Sequence, residues 1–77
     1  MYYEKVMIKI DCLGYSCPIP VIKLKQKHSL IMEGEEILLV TDHNLAVENI
    51  EYYCNLNKFK CSSEEVIDGV WEITISK

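Results

Sequence analysis

Four segments of the chain carry the apolar patterns of β-strands. Residues 5–10 alternate in character, with Val6, Ile8 and Ile10 on one face, which is typical of a half-buried strand. Residues 37–40 form an unbroken apolar run, which predicts a central strand that is buried on both faces. Residues 59–67 and 70–76 predict two more strands, and the Asp68-Gly69 pair between them is a strong hairpin signal.

Two segments between these strands have a helical period. The first predicted helix spans residues 18–31, and Gly34 marks its end. The apolar face of this helix consists of Val21, Leu24, His28 and Ile31. The second predicted helix ends near residue 57, and the side chains of residues 41–44 are available to cap its start. Its inward residues are Val47, Ile50 and Cys54.

The resulting order of elements is β-α-β-α-β-β. The predicted fold class is α+β, a two-layer α/β sandwich in which two helices cover one face of a mixed four-stranded sheet. The other face of the sheet stays open to solvent or partners. The charged residues Lys9 and Glu72, at alternate strand positions, are expected on this open face. Since no linker or repeat interrupts the pattern, we expect residues 1–77 to form a single small domain.

The composition narrows the classes of function. Twelve acidic and eight basic residues give a net charge of −4, which argues against direct binding to nucleic acid. No apolar run reaches the roughly 20 residues of a membrane span, and the N-terminus lacks the apolar stretch of a secretory signal. We therefore expect a cytoplasmic protein whose cysteines are reduced.

The four cysteines do not have the spacing of a structural zinc site. They are arranged as C-x4-C and C-x6-C, whereas zinc ligands usually come in two closely spaced pairs. The sequence also lacks a glycine-rich phosphate loop and a Ser-His-Asp pattern. We therefore expect neither a metal nor a cofactor.

Cys17 is the leading candidate for a reactive residue. It lies where the first strand gives way to the first helix, and the positive end of the helix dipole there favours a thiolate. Pro18 suits the first helical position and Pro20 lies in the same turn, so both stiffen the junction. The N–H of Ile19 stays available, and we expect it to donate to the sulfur if Cys17 caps the helix.

Pro20 also limits the chemistry of Cys17. In a C-x-x-C redox motif, the second cysteine lies three residues after the first and resolves its mixed disulfide. Pro20 occupies that position here. No thiol three residues further along the chain can therefore attack an adduct on Cys17, such as a persulfide, and release it. This favours a cysteine that holds a group for a partner over a disulfide oxidoreductase.

Other residues near Cys17 have supporting roles. Lys23 follows on the helix and leans toward its N-terminus, so it could approach the sulfur. Asp11 is interpreted as a turn-forming residue and Gly14 as a position with positive φ. Cys12 is interpreted as a small buried residue, with a regulatory Cys12–Cys17 disulfide as the alternative.

Several ring side chains are interpreted as packing residues and not as parts of a site. His28 lies on the apolar face of the first helix, where we expect it to be partly buried with a hydrogen-bond partner. Tyr52, Tyr53 and Trp71 are assigned to packing in the same way.

A motif of fixed spacing resembles the signature of the TusA/SirA/YedF-like sulfur carrier family. The motif is Asp11-x-x-Gly14-x-x-Cys17-Pro18-x-Pro20, followed by Lys23, and residues 34–42 and the final hairpin are also similar. The resemblance implies that Cys17 accepts persulfide sulfur from a cysteine desulfurase or a rhodanese-like donor. A downstream sulfur-relay protein would then take the sulfur, for example for thiolation of transfer RNA.

Two alternatives stay open. One is a sulfurtransferase that handles thiosulfate together with a membrane thiosulfate importer, since residues 68–75 are mildly similar to such proteins. The other is a binding module that is regulated by a Cys12–Cys17 disulfide.

Overall fold

A computed structural model describes residues 8–77. In chain order the elements are β1 (Ile8–Cys12), α1 (Ile19–Lys25), α2 (His28–Met32), β2 (Ile37–Thr41), α3 (Asn44–Asn57), β3 (Lys60–Ile67) and β4 (Val70–Ser76). The first strand continues to Cys12, beyond its predicted end at residue 10. Residues 5–7 of that predicted strand lie outside the described residues.

The four strands form one mixed sheet, as predicted, and their order across the sheet is β1-β2-β4-β3. β2 lies centrally, parallel to β1 and antiparallel to β4. β3 and β4 are antiparallel neighbours and are joined by the predicted hairpin turn. Gly69 in this turn has a φ of 81°, which a residue with a side chain rarely adopts.

The first predicted helix is divided into α1 and α2, so the described chain has three helices and not two. The Lys27 N–H donates to the carbonyl oxygen of Leu24 at 2.9 Å, a tighter spacing than in an α-helix. The chain then restarts as α2, where His28 contacts the hydroxyl of Tyr53 and packs 5.3 Å from the ring of Phe59. The prediction that His28 is partly buried with a hydrogen-bond partner is therefore confirmed.

All three helices cover the same face of the sheet, because their buried side chains join one core cluster with those of the strands. The helices contribute Leu24, Ile31, Val47, Ile50 and Cys54, and the strands contribute Ile10, Cys12, Ile37, Leu39, Ile73 and Ile75. Since β1 and β2 are parallel, their carboxyl ends meet at one edge of the sheet. None of the helices within residues 8–77 has the length and apolar character needed to cross a bilayer.

Candidate thiol site

Two loops meet at the carboxyl ends of β1 and β2. Both carboxylate oxygens of Asp42, which follows β2, accept from the Gly14 N–H at 3.2 Å. Gly14 has the positive φ that its place in the turn predicts, 83°. The carboxylate of Asp11 accepts from the Leu13 N–H at 3.1 Å and so forms a turn. These contacts hold the segment that leads to Cys17 against the start of α3.

The prediction that residues 41–44 cap α3 with a side chain is wrong. The N-cap residue is His43, and within the described chain its side chain makes no capping hydrogen bond. The Thr41 hydroxyl instead accepts from the His43 N–H at 3.2 Å, and the Asp42 carboxylate is engaged by Gly14. The polar side chains of this segment therefore connect the two loops and do not cap the helix.

Cys17 is partly buried and accepts a hydrogen bond from the side-chain amide of Asn49 on α3. The predicted bond from Ile19 to this sulfur is wrong. Because α1 starts one residue later than expected, Pro18 is the N-cap, and the Ile19 N–H donates to the Ser16 carbonyl at 3.0 Å. The sulfur therefore receives its donor from a neighbouring helix and not from its own. The peptide bond between Cys17 and Pro18 is cis.

Asn49 is a site residue that the sequence analysis missed. It shares one face of α3 with Tyr52, Tyr53 and Leu56, at the spacing i, i+3, i+4 and i+7. This face carries no charged residue and lies beside the buried stripe of the helix. The helical spacing of these uncharged residues was the only sign of this face in the sequence. The packing of α1 against α3 in the structure shows that the face lies beside Cys17.

A groove between α1 and α3 begins beside Cys17. It has a volume of about 310 Å³ and is lined by Pro18, Val21, Lys25, Asn49, Tyr52, Tyr53 and Leu56. Tyr52 is 66% exposed and Leu56 is 64% exposed. The assignment of Tyr52 to packing is therefore wrong, whereas Tyr53 and Trp71 do pack against the core, as predicted. We call this feature the Cys17 groove.

The segment of the chain that contains Cys17 is basic, although the whole chain is acidic. Residues 12–32 contain three lysines and no acidic residue. The Lys25 ammonium lies 5.8 Å from the ring centroid of Tyr53, and the Lys23 ammonium lies 5.0 Å from that of Tyr15. The predicted approach of Lys23 to the sulfur stays a prediction, because the described contact of this lysine is with Tyr15.

Cys12 is chemically different from Cys17. It is fully buried in the core, and both thiols are free. Burial raises the pKa of the Cys12 thiol, the Lys23 ammonium opposes this rise, and the Asp11 carboxylate adds to it. Because the Cys12 thiol is buried and its pKa is raised, Cys12 is a poor competitor for chemistry at Cys17.

The described residues hold no group of three or more histidine, cysteine, aspartate or glutamate side chains arranged for a metal ion.

Comparison with known proteins identifies the family. The family model described as Sulfurtransferase TusA matches residues 8–77. A candidate sulfur carrier protein of Methanocaldococcus jannaschii is 35% identical over 71 residues, which cover 92% of this chain and 95% of that protein. The crystal structure of a SirA-like protein from Desulfitobacterium hafniense matches with a TM-score of 0.82 at 33% identity, over 90% of this chain and 95% of that one. This chain therefore belongs to the TusA/SirA-like family of sulfur carriers.

Proposed function

We propose that this protein carries sulfur as a persulfide on Cys17. The Cys17 thiolate attacks the terminal sulfur of a donor persulfide, and the donor leaves as a thiolate. An acceptor thiolate then attacks the outer sulfur of Cys17–S–SH and releases Cys17 as a thiolate. Both steps are exchanges of one sulfur atom without net oxidation.

The contact between the Asn49 amide and the Cys17 sulfur carries this proposal. A hydrogen bond to the charged form of a group favours that form, so the amide stabilises a thiolate. A persulfide anion on Cys17 would extend the charge by one atom into the adjoining groove. Because the thiol is partly exposed, a partner's cysteine can reach it.

The surroundings of Cys17 suit a sulfur atom that waits for a partner. Pro20 occupies the place of a resolving cysteine, and Cys12 is buried with a raised pKa. A binding module switched by a Cys12–Cys17 disulfide fits less well, because burial raises the pKa of the Cys12 thiol and so lowers its reactivity.

The Cys17 groove supports a docking role for sulfur donor and acceptor proteins. Exposed Tyr52 and Leu56 offer apolar contact beside the reactive sulfur, and the lysine-bearing first helix offers positive charge. A cysteine desulfurase or a rhodanese-like protein is the proposed donor, and a sulfur-relay protein of the cytoplasm is the proposed acceptor. The partner segments that enter this groove would combine apolar and acidic side chains.

Intact-mass measurement after incubation with a cysteine desulfurase and cysteine tests the proposal. The native chain should gain the mass of one sulfur atom and lose it again on treatment with a reducing thiol. Cys17→Ser should gain none, whereas the control Cys61→Ser should gain as much as the native chain. Equal labelling of Cys17→Ser and the native chain would reject the proposal.

A further inference from the structure

Strand β3 forms one edge of the sheet, because β4 is its neighbour on one side and no described strand lies on the other. Residues 60–65 pair regularly with β4, and the register shifts between Glu65 and Ile67, beside the hairpin turn. In the part of the chain that the structure describes, residues 60–67 make no backbone hydrogen bond outside the strand ladder. The outward N–H and C=O groups of residues 60–65 are therefore available to a further strand.

The side chains of β3 alternate between the two faces of the sheet. Cys61 and Ser63 are opposite fully buried residues of β4, so they face the helices. The residues that alternate with them, Lys60, Ser62 and Glu64, therefore lie on the open face, and all three are exposed. Along this edge, the open face thus carries a cation and a carboxylate at equal distances from a small hydroxyl residue.

Glu64 has a like charge beside it within the sheet. The residue directly opposite Glu64 on β4 is Glu72. Neither carboxylate takes part in an ion pair within residues 8–77. Like charges directly opposite each other destabilise a pair of strands. A cation on the outer side of Glu64 would therefore relieve this repulsion.

We propose that the β3 edge binds a second copy of this chain, with the two β3 strands antiparallel and related by a two-fold axis at Ser62. In this register Ser62 is opposite Ser62 of the second copy. Lys60 and Glu64 lie two residues on either side of the axis, so each lysine is opposite a glutamate of the other copy. The interface is self-complementary and closes as a dimer, with one ion pair on each side of the axis.

The charges select this register over its neighbours. An axis at Cys61 or Ser63 forms neither ion pair, and an axis at Lys60 or Glu64 places two like charges directly opposite each other. An axis further along the strand would use the irregular pairing that follows Glu65. Charged side chains on an edge strand usually oppose pairing with other strands. Here their spacing favours one arrangement, and that arrangement fits a second copy of the same strand.

This association goes beyond the proposed sulfur carriage and does not depend on it. None of the residues that line the Cys17 groove lies on β3. Each copy would therefore keep its own groove, and sulfur loading of Cys17 is measured separately from self-association.

Charge exchange is the first test, with sedimentation velocity of the full chain as the measurement. Five residues of each strand bury less area than a standard interface, so the concentration series extends to about 1 mM. The native chain should form dimers reversibly, and Lys60→Glu and Glu64→Lys should each weaken the dimer several-fold. An equimolar mixture of these two variants should associate again, because opposite charges then meet at both positions. Lys9→Glu, the same charge change on the opposite edge strand, should leave the native dimer unchanged.

Disulfide crosslinking tests the register. Ser62→Cys is introduced into a chain that carries Cys17→Ser and Cys61→Ser, and the protein is oxidised with oxidised glutathione. Directly opposite Cβ atoms of antiparallel strands are about 4.5–5.5 Å apart, close to disulfide distance. The Ser62→Cys chain should therefore form a covalent dimer. The control is Thr74→Cys in the same background, which should stay monomeric because Thr74 lies beside Ser62 on the inner strand β4.

Three outcomes would overturn the proposal. The native chain could stay monomeric over the whole concentration series, in which case a second copy is not the partner of this edge. The mixture of the two charge variants could associate no more than its separate components. The two cysteine variants could crosslink equally, which would place the contact elsewhere on the surface.

Discussion

Asn49→Ala tests how the fold stabilises the reactive form of Cys17. The substitution removes the side-chain amide that donates to the sulfur, and alanine maintains the helix because it has the highest helix propensity. Asn55→Ala is the matched control, since Asn55 is an exposed asparagine on the same helix. The two variants lose the same chemical group, but only one of them loses the contact with Cys17.

The size of the effect follows from the contact. A hydrogen bond to a charged acceptor contributes about 1.5–3 kcal/mol, and the partial exposure of Cys17 favours the lower end. Loss of the donor therefore weakens the stabilisation of negative charge on the sulfur. We expect alkylation of Cys17 at neutral pH to slow several-fold, with about tenfold as the upper bound, since about 1.4 kcal/mol corresponds to a factor of ten in rate.

The assay is alkylation by iodoacetamide at neutral pH, with the peptide that contains Cys17 quantified by mass spectrometry over time. Asn49→Ala should react several-fold more slowly than the native chain, because its sulfur lacks the amide donor. Asn55→Ala should react at the native rate. A rate for Asn49→Ala that equals or exceeds the native rate would refute the role of the amide.

The loops, the groove and the core each provide a further test. Asp42→Ala removes both contacts to the Gly14 N–H, so urea unfolding should show a loss of about 1 kcal/mol, and an unchanged midpoint would contradict the tie between the loops. Tyr52→Ser should slow sulfur transfer from a donor protein but not alkylation of Cys17 by iodoacetamide. The control Ile67→Ser, at an equally exposed position on the β3–β4 hairpin, should change neither rate, and equal effects of the two variants would contradict docking in the groove. Leu24→Ala empties a fully buried position and should cost about 3 kcal/mol, measured by thermal unfolding, whereas a cost below about 1 kcal/mol would show that Leu24 is not part of a close-packed core.

The sheet could be predicted from the sequence because its signals are local. Strand alternation, the apolar run of β2 and the Asp68-Gly69 turn each act within a few residues, and they specify where the four strands lie along the chain. The order of the strands across the sheet was not predicted. The break between α1 and α2 has no such signal, since the apolar stripe of the first predicted helix continues across it. At this break, His28 contacts Tyr53 and Phe59, which come from distant parts of the chain.

In the candidate site, too, some residues could be predicted from local sequence signals and others could not. Cys17 is recognisable from its place between a strand and a proline-rich helix start. Asn49 and Asp42 are not, because their partners lie 32 and 28 residues away in the chain. The role given to Ile19 failed because a shift of one residue in the helix start places its N–H on Ser16.

Transfer in a single turnover tests the central claim, that Cys17 holds sulfur and passes it on. The chain is loaded with radioactive sulfur by a cysteine desulfurase, separated from the donor and mixed with an acceptor protein that has an accessible cysteine. We predict that the label maps to Cys17 before mixing and appears on the acceptor cysteine afterwards, while Cys17 returns to a free thiol. Label that maps to another cysteine, or that leaves Cys17 only as free sulfide in the presence of the acceptor, would contradict it.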